Sequence, residues 1–135
     1  MNEIIKEYTK TIDLFGRDHE VKVSIKTEHD EWGHTSIDDI DAYTEIERQE
    51  MHDKLNNHDL CCLVIWVTVS SHLFSGSSIS LGGVFIEHLN RSDYIAEIER
   101  TVEDYSLLEE AIGSYRKEAE KYKEFFDGIK DRNNG

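Results

Sequence analysis

The sequence predicts an α+β domain in the order β-β-α-β-β-α, with helices packed on a mostly antiparallel sheet. Two pairs of apolar stretches rich in β-branched residues are typical of two hairpins. Apolar residues at helical spacing follow each pair. With 135 residues the chain has the usual size of one domain. We expect a single domain over 1–135, with the sheet and first helix in 1–90 and a helical region in 91–130.

The first hairpin is predicted from two short apolar runs that flank a turn. Ile12 and Leu14 lie in the first run, and Gly16 to Asp18 form the turn. From Val21 to Ile25 every second residue is aliphatic and the residues between are polar. This alternation predicts strands with one buried face and one face in water.

A polar loop and a helix are expected between the hairpins. The stretch from Glu28 to Ser36 is charged, contains Gly and His, and has no apolar period, which is typical of an exposed loop. Ser36 is the predicted N-cap of a helix that continues to about Leu55. Its inner face would carry these apolar residues: Ile37, Ile40, Tyr43, Met51 and Leu55.

The second hairpin contains the longest apolar stretch of the chain. Leu60 to Val69 is apolar at odd and even positions alike, which predicts a central strand covered on both faces. A Ser- and Gly-rich loop leads to a second strand from Ile79 to Glu87. Within it, Gly82 and Gly83 indicate a bulge or a close approach of the backbone to another group.

The only two cysteines, Cys61 and Cys62, are neighbours in the first strand of this hairpin. Adjacent residues of a strand point to opposite faces, so this pair cannot build a disulfide scaffold. We therefore predict two reduced thiols in the core.

The C-terminal region is predicted to be helical from Ser92 to about residue 130. From Leu108 onward the apolar residues alternate at spacings of four and three, which makes a heptad seam. Just before Leu108 the spacing shortens, and Ser106 with Glu109 fits a capping box that would start a new helix. One long bent helix and two helices broken near Ser106 both agree with this pattern.

The heptad seam has two alternative roles. Aromatic residues projecting into water would be unfavourable, so a structural homodimer through the seam is one reading. In the other, the segment breaks at Ser106 and packs on its own sheet. The dimer interface would consist of Leu108, Ile112, Tyr115, Tyr122 and Phe126.

The net charge of −14 is concentrated in two segments. Residues 28–60 hold eleven acids against Arg48 and Lys54, and residues 91–110 hold seven against Arg91 and Arg100. Direct binding to DNA or RNA is disfavoured, because such binding depends on neutralising phosphates. A solvated surface that aids solubility is one interpretation of this charge.

The other interpretation is a surface that binds a partner. Carboxylates can contact a basic protein, or can occupy the channel of a nucleic-acid-binding protein in place of phosphates, as a DNA mimic. The first helix and the start of the C-terminal region would supply the contacts. The predicted partner-binding residues are Asp38, Asp39, Asp41, Glu45, Glu47, Glu50, Asp53, Glu97, Glu103 and Asp104.

Familiar enzyme motifs are absent from the sequence. It contains no G-x-S-x-G, no H-E-x-x-H, no Walker motif and no paired C-x-x-C, so an enzyme of a known motif class is disfavoured and no cofactor is expected. As an alternative function, His29 and His34 could bind a metal or a small molecule together with the serine-rich hairpin tip. The opposing interpretation is an exposed polar loop with Trp32 packed on the core.

Membrane insertion and secretion are not expected. The longest apolar run, Leu60 to Val69, is about half of the roughly 20 residues needed to span a bilayer. The N-terminal residues mix charges with isoleucines and lack the apolar centre of a signal peptide. We predict a cytoplasmic protein.

One short block resembles a pattern in small uncharacterised acidic proteins of bacteriophages and mobile elements. The block runs from Ser80 to Glu87 (SLGGVFIE) and is followed by Asp93, Tyr94 and a long acidic helix. The resemblance implies a setting in which small acidic proteins block host defence or host nucleic-acid enzymes, and it implies no catalytic residues. We therefore expect a non-enzymatic acidic binding protein, of the kind that inhibits a host protein.

Overall fold

Eight elements appear in a computed structural model, which describes residues 3–73, 76–87 and 90–123. The order is β-β-α-α-β-β-α-α. The strands are β1 (Glu3–Leu14), β2 (Arg17–His29), β3 (Leu60–Ser70) and β4 (Ser77–Glu87). The helices are α1 (Gly33–Asp38), α2 (Glu45–Asn56), α3 (Arg91–Asp104) and α4 (Leu107–Lys121).

The four strands form one sheet in the order β1-β2-β3-β4, and every neighbouring pair is antiparallel. The α+β class and both predicted hairpins are confirmed. Val23 of β2 lies opposite Val69 of β3. In the pairing of β3 with β4 the register shifts between Leu63 and Ile65, so the bulge predicted from the glycine pair is also confirmed.

The main core lies between one face of the sheet and helices α3 and α4. Every second residue of β3 from Leu63 to Val69 is buried there, together with Val21 to Ile25 at alternate positions of β2. The helices contribute Ile98 and Val102 from α3 and Tyr115 from α4, among others. Burial of these aliphatic side chains holds the sheet and the C-terminal helices together.

Helices α1 and α2 pack on the opposite face, at the start of β3. Cys62 points away from the main core because its neighbour Leu63 points into it. A Cβ built on Gly33 of α1 would lie 3.0 Å from the Cβ of Cys62 and 3.0 Å from a methyl of Leu55 in α2. Ile37 of α1 is fully buried. The two helical pairs therefore sit on opposite faces of the sheet.

The single helix predicted from Ser36 to Leu55 is wrong, because the structure has two helices there. Helix α1 ends at Asp38, and α2 begins after Thr44. The Thr44 hydroxyl accepts the N–H of Glu47, and the Glu47 carboxylate accepts the N–H of Thr44, which makes a capping box. This capping box starts a new helix at a point where the apolar stripe predicts one continuous helix.

The C-terminal region is also two helices, so the β-β-α-β-β-α order is not matched, although the break near Ser106 is one of the two alternatives that the sequence left open. Helix α3 ends at Asp104, and Ser106 adopts a left-handed conformation with φ of 53° before α4 starts at Leu107. The predicted capping box is not formed, because the Ser106 side chain makes no capping hydrogen bond. The break turns α4 back onto the sheet.

The heptad residues lie mainly in the core of the single chain. Ile112 and Tyr115 are buried, and Leu108 packs against the core. Tyr122 is 48% exposed, and Phe126 lies outside the described residues. Ile112 and Tyr115 could join a dimer seam only by leaving this core, and the homodimer itself stays a prediction.

The described helices do not have the length and composition of a bilayer span. None of them is both long enough and apolar enough to cross a membrane.

Candidate functional site

The acidic residues of the first helical region form one exposed surface, called here the α2 surface. Every one of its carboxylate side chains is exposed, and α2 buries none of its residues. The surface includes the end of α1, the connection to α2 and the outer side of α2. Its residues are Asp38, Asp39, Asp41, Glu45, Glu47, Glu50 and Asp53.

Local interactions explain how such a polar helix is held. Glu45 and Glu47 lie in the first turn and Lys54 in the last, the placement that the helix dipole favours. Gln49 donates to the Asp53 carboxylate at 3.0 Å, one turn along. These contacts add to the packing of the half-buried Leu55 beside Gly33, the main apolar contact described for α2.

Arg48 joins α2 to the connection that precedes it. Its guanidinium donates to the carbonyl of Ile40 at 2.9 Å and to the carboxylate of Glu45 at 3.1 Å. It therefore fixes the loop between α1 and α2 while neutralising one acid. Next to it, Ile46 is 73% exposed and forms an apolar point among the carboxylates.

The second group of predicted partner-binding residues lies elsewhere. Glu103 and Asp104 are exposed at the end of α3, and Glu97 is partly exposed and paired with Arg100. Because α3 and α2 pack on opposite faces of the sheet, the structure does not bring the two acidic groups together. One flat partner surface cannot contact both.

The histidine-rich loop borders a concavity of about 310 Å³ between the end of β2, α1, α2 and the start of β3. This volume is at the lower end of the range for small-molecule sites. The serine-rich hairpin tip lies at the other end of β3, so the structure separates the two parts of the predicted small-molecule site. The lining includes His29, Asp30, Glu31, His34, His58 and Cys61.

His34 pairs with His52, a residue 18 positions away that no local pattern connects with it. Its Nδ1 lies 2.6 Å from Nδ1 of His52, and the two nearly coplanar rings meet edge to edge with centroids 4.9 Å apart and planes 18° apart. Nε2 of His52 lies 2.7 Å from a carboxylate oxygen of Asp38. In the described part of the chain, no three His, Cys, Asp or Glu residues converge on one metal position.

Asp30 has a structural role in this region. Its buried carboxylate accepts the backbone N–H of Trp32 at 2.9 Å and that of Gly83 at 2.8 Å. The Trp32 hydrogen bond is the main cause that lowers the pKa of Asp30, although burial opposes it. Burial, together with the nearby Asp30 charge, raises the pKa of Cys62 to about 12. This thiol is therefore protonated at neutral pH.

Trp32 itself differs from the expectation that it packs on the core. Its side chain is 70% exposed. The hydrogen bond from its backbone to Asp30 places the residue at the start of α1, where the ring points to solvent. The exposed loop predicted from Glu28 to Ser36 is therefore correct only in part, because its start belongs to β2, its end belongs to α1 and Asp30 is buried, whereas Trp32 lies on the surface.

No family model matches the chain, and neither do any curated protein sequence or any solved structure.

Proposed function

We propose that this protein is a non-enzymatic binding protein whose α2 surface contacts a basic surface of another protein. The observation that carries the proposal is that α2 buries none of its residues while all seven carboxylates of the surface are exposed. Of the apolar residues of α2, only the half-buried Met51 and Leu55 face the rest of the chain, and the remaining sides of the helix are polar apart from Ile46 and mainly exposed. The exposed side chains of α2 are therefore available to contact a partner.

Ile46 supports this proposal because it adds an apolar contact to the charged surface. Its side chain is 73% exposed and is flanked in sequence by Glu45 and Glu47. Protein interfaces commonly combine a few apolar anchors with a polar rim. The carboxylates would speed encounter with a basic partner, and Ile46 would contribute to the stability of the complex.

The partner we propose is a nucleic-acid-binding protein, with the α2 surface occupying its basic groove in place of phosphates. The net charge of −14 favours such a groove and disfavours direct contact with nucleic acid. The resemblance to small acidic phage proteins points in the same direction, toward inhibition of a host enzyme. The α3 carboxylates lie on the other face of the sheet and would remain outside a single groove.

A charge-reversal variant tests this function. D41K/E50K changes two exposed carboxylates that make no described side-chain hydrogen bond or ion pair. The matched control E20K/E120K changes the net charge equally at exposed positions of β2 and α4. In affinity capture from a bacterial lysate, we expect the first variant to lose a protein that the wild type and the control retain. Capture of the same proteins by all three would contradict the proposal.

A competition experiment tests the nature of the partner. A captured protein that binds DNA should lose DNA when the wild-type chain is added, and D41K/E50K should displace less. Raising the salt concentration should weaken the complex, because charged contacts between exposed groups are screened. If a saturating concentration of the wild-type protein leaves the DNA binding of the partner unchanged, the DNA-mimic hypothesis is contradicted.

A small-molecule site in the concavity beside the histidine loop is the second candidate function. The volume of about 310 Å³ and the lining by His29, His58 and Glu31 support it. A ligand screen by NMR would test it, with H58A as the variant expected to lose any hit. Hits whose binding is unchanged in H58A and H29A would contradict this candidate.

A further inference from the structure

The contact between His34 and His52 places two imidazole nitrogens against each other. The Nδ1 atoms are 2.6 Å apart, which is a hydrogen-bond distance. Only one hydrogen can lie between two such atoms, so at least one of the nitrogens offers a lone pair there. Two nitrogens with this convergence are also suited to hold a positive ion between them.

Asp38 determines which nitrogen of His52 carries the lone pair. The Nε2–H of His52 donates to the Asp38 carboxylate at 2.7 Å, so Nδ1 is left as the acceptor. A histidine that binds a metal commonly donates its other ring N–H to a carboxylate in this way, which fixes the tautomer and the ring orientation. The chain therefore supplies a free lone pair at His52 Nδ1 and the outer carboxylate, and His34 Nδ1 becomes the second ligand once the hydrogen it donates has moved to its own Nε2.

We propose that His34 and His52 form a binding site for a divalent cation that prefers nitrogen ligands, such as Zn²⁺, with both Nδ1 atoms as ligands and Asp38 as the orienting carboxylate. Imidazole ligands favour Zn²⁺, Cu²⁺ and Ni²⁺ over Mg²⁺ and Ca²⁺. The proposal does not depend on the protein-binding role of α2, and either can fail alone.

The two rings must rearrange to accept the ion. A tetrahedral Zn²⁺ with Zn–N distances of about 2.0–2.1 Å requires the two nitrogens to be roughly 3.3 Å apart. The rings must therefore separate by about 0.7 Å and also turn, because the two Nδ1 atoms now face each other edge to edge and must instead point at one shared position. His34 is exposed and the His52 side chain is 21% exposed, so neither ring is locked in a packed core.

The remaining coordination positions would be filled by water. The concavity of about 310 Å³ is lined by His34, and a second one of about 370 Å³ is lined by His52, Asp38 and Glu45. Both have room for water molecules beside the pair. The excess of acids in residues 28–60 makes the surrounding field favourable for a cation. With only two protein ligands and water in the other positions, the bound ion should exchange with solution, in contrast to the ion in the closed sites of structural zinc.

Zinc titration of purified wild-type and variant chains by calorimetry near neutral pH tests the site. We expect one Zn²⁺ per wild-type chain and a loss of at least about tenfold in affinity in H34A and in H52A. D38N should weaken binding by about tenfold to hundredfold, as outer-shell changes do. H29A and H58A are matched controls from the same concavity and should bind as the wild type does.

A measurement on the wild type alone keeps the proposal testable if a variant fails to fold. In ¹⁵N NMR of the histidine rings, Zn²⁺ should shift the Nδ1 resonances of His34 and His52 much more than their Nε2 resonances. Zinc binding weaker than about 1 mM in the wild type would overturn the proposal. So would zinc binding that H52A leaves unchanged or that H29A removes.

Discussion

The carboxylate of Asp30 accepts the backbone N–H of Gly83 at 2.8 Å, across 53 positions of the sequence. This hydrogen bond ties the loop after β2 to the bulge of β4. A Cβ built on Gly82 would lie 3.4 Å from the same carboxylate, so the glycine pair serves both the bulge and a close approach. From the sequence, a bulge and a close approach of the backbone are alternative explanations of Gly82 and Gly83, and in the structure both apply.

Removal of the Asp30 carboxylate should destabilise the fold. D30A leaves the N–H groups of Trp32 and Gly83 without their acceptor, so we expect a loss of about 2–3 kcal/mol in the free energy of unfolding. Chemical denaturation monitored by circular dichroism measures this change. E31A, at an exposed neighbour, should stay within about 0.5 kcal/mol of the wild type. Equal effects of the two variants would contradict the structural role of Asp30.

Two glycine-to-alanine variants should have opposite effects on stability. Gly83 has φ of 67°, and its nearest contact for a Cβ is the Ser36 hydroxyl at 3.7 Å, so G83A is strained by its backbone and should cost about 1–2 kcal/mol. Gly113 lies inside α4 with nothing within 4 Å of a Cβ. G113A should therefore stabilise by about 0.5–1 kcal/mol. Thermal unfolding would show the difference, and a stabilising G83A would be inconsistent with the bulge.

His19 should make the fold sensitive to mild acid. Burial lowers the pKa of His19, and the nearby His72 lowers it further. The unfolded chain then binds a proton at a higher pH than the folded chain does. The stabilising contribution is present above the ordinary histidine pKa of about 6.5 and is lost as the pH falls toward the folded value.

The measurement for His19 is the free energy of unfolding between about pH 7 and pH 5. The wild type should lose stability over this range more steeply than H19Q, which removes the titrating group. In H72Q the pKa of His19 should rise, because the repulsive neighbour is gone, and an NMR titration of His19 would show it. Parallel slopes in the wild type and H19Q would rule out this linkage.

Truncation of Ile112 distinguishes a core role of the heptad from a dimer role. The residue is 7% exposed within one chain, so I112A should cost about 2–5 kcal/mol through the cavity it leaves. The wild-type denaturation midpoint should not depend on protein concentration if this core belongs to a monomer. A midpoint that rises with concentration, together with a dimer in light scattering, would support the homodimer instead. I46A, at an exposed position, is the control for stability.

Local patterns in the sequence were sufficient for the strands and for the exposed charge. The alternation from Val21 to Ile25 depends only on neighbours in the chain, and it correctly predicts which side of β2 is buried. The seven carboxylates of the α2 surface are exposed as their composition indicates. Thr44 and Glu47 also carried a local signal, the capping-box spacing, which identifies the true start of α2 better than Ser36 does.

Only the tertiary structure decided which distant groups meet. His34 contacts His52, 18 positions away, because α1 and α2 pack together over Cys62, and no local pattern encodes that packing. The heptad seam was equally compatible with a partner chain and with the chain's own sheet. The left-handed conformation of Ser106 turns α4 onto the sheet. Tyr115 is buried there, and its hydroxyl is hydrogen-bonded to His19 and Ser71. The physical reason is that a local pattern specifies an apolar face, whereas the surface that covers this face depends on how the whole chain packs.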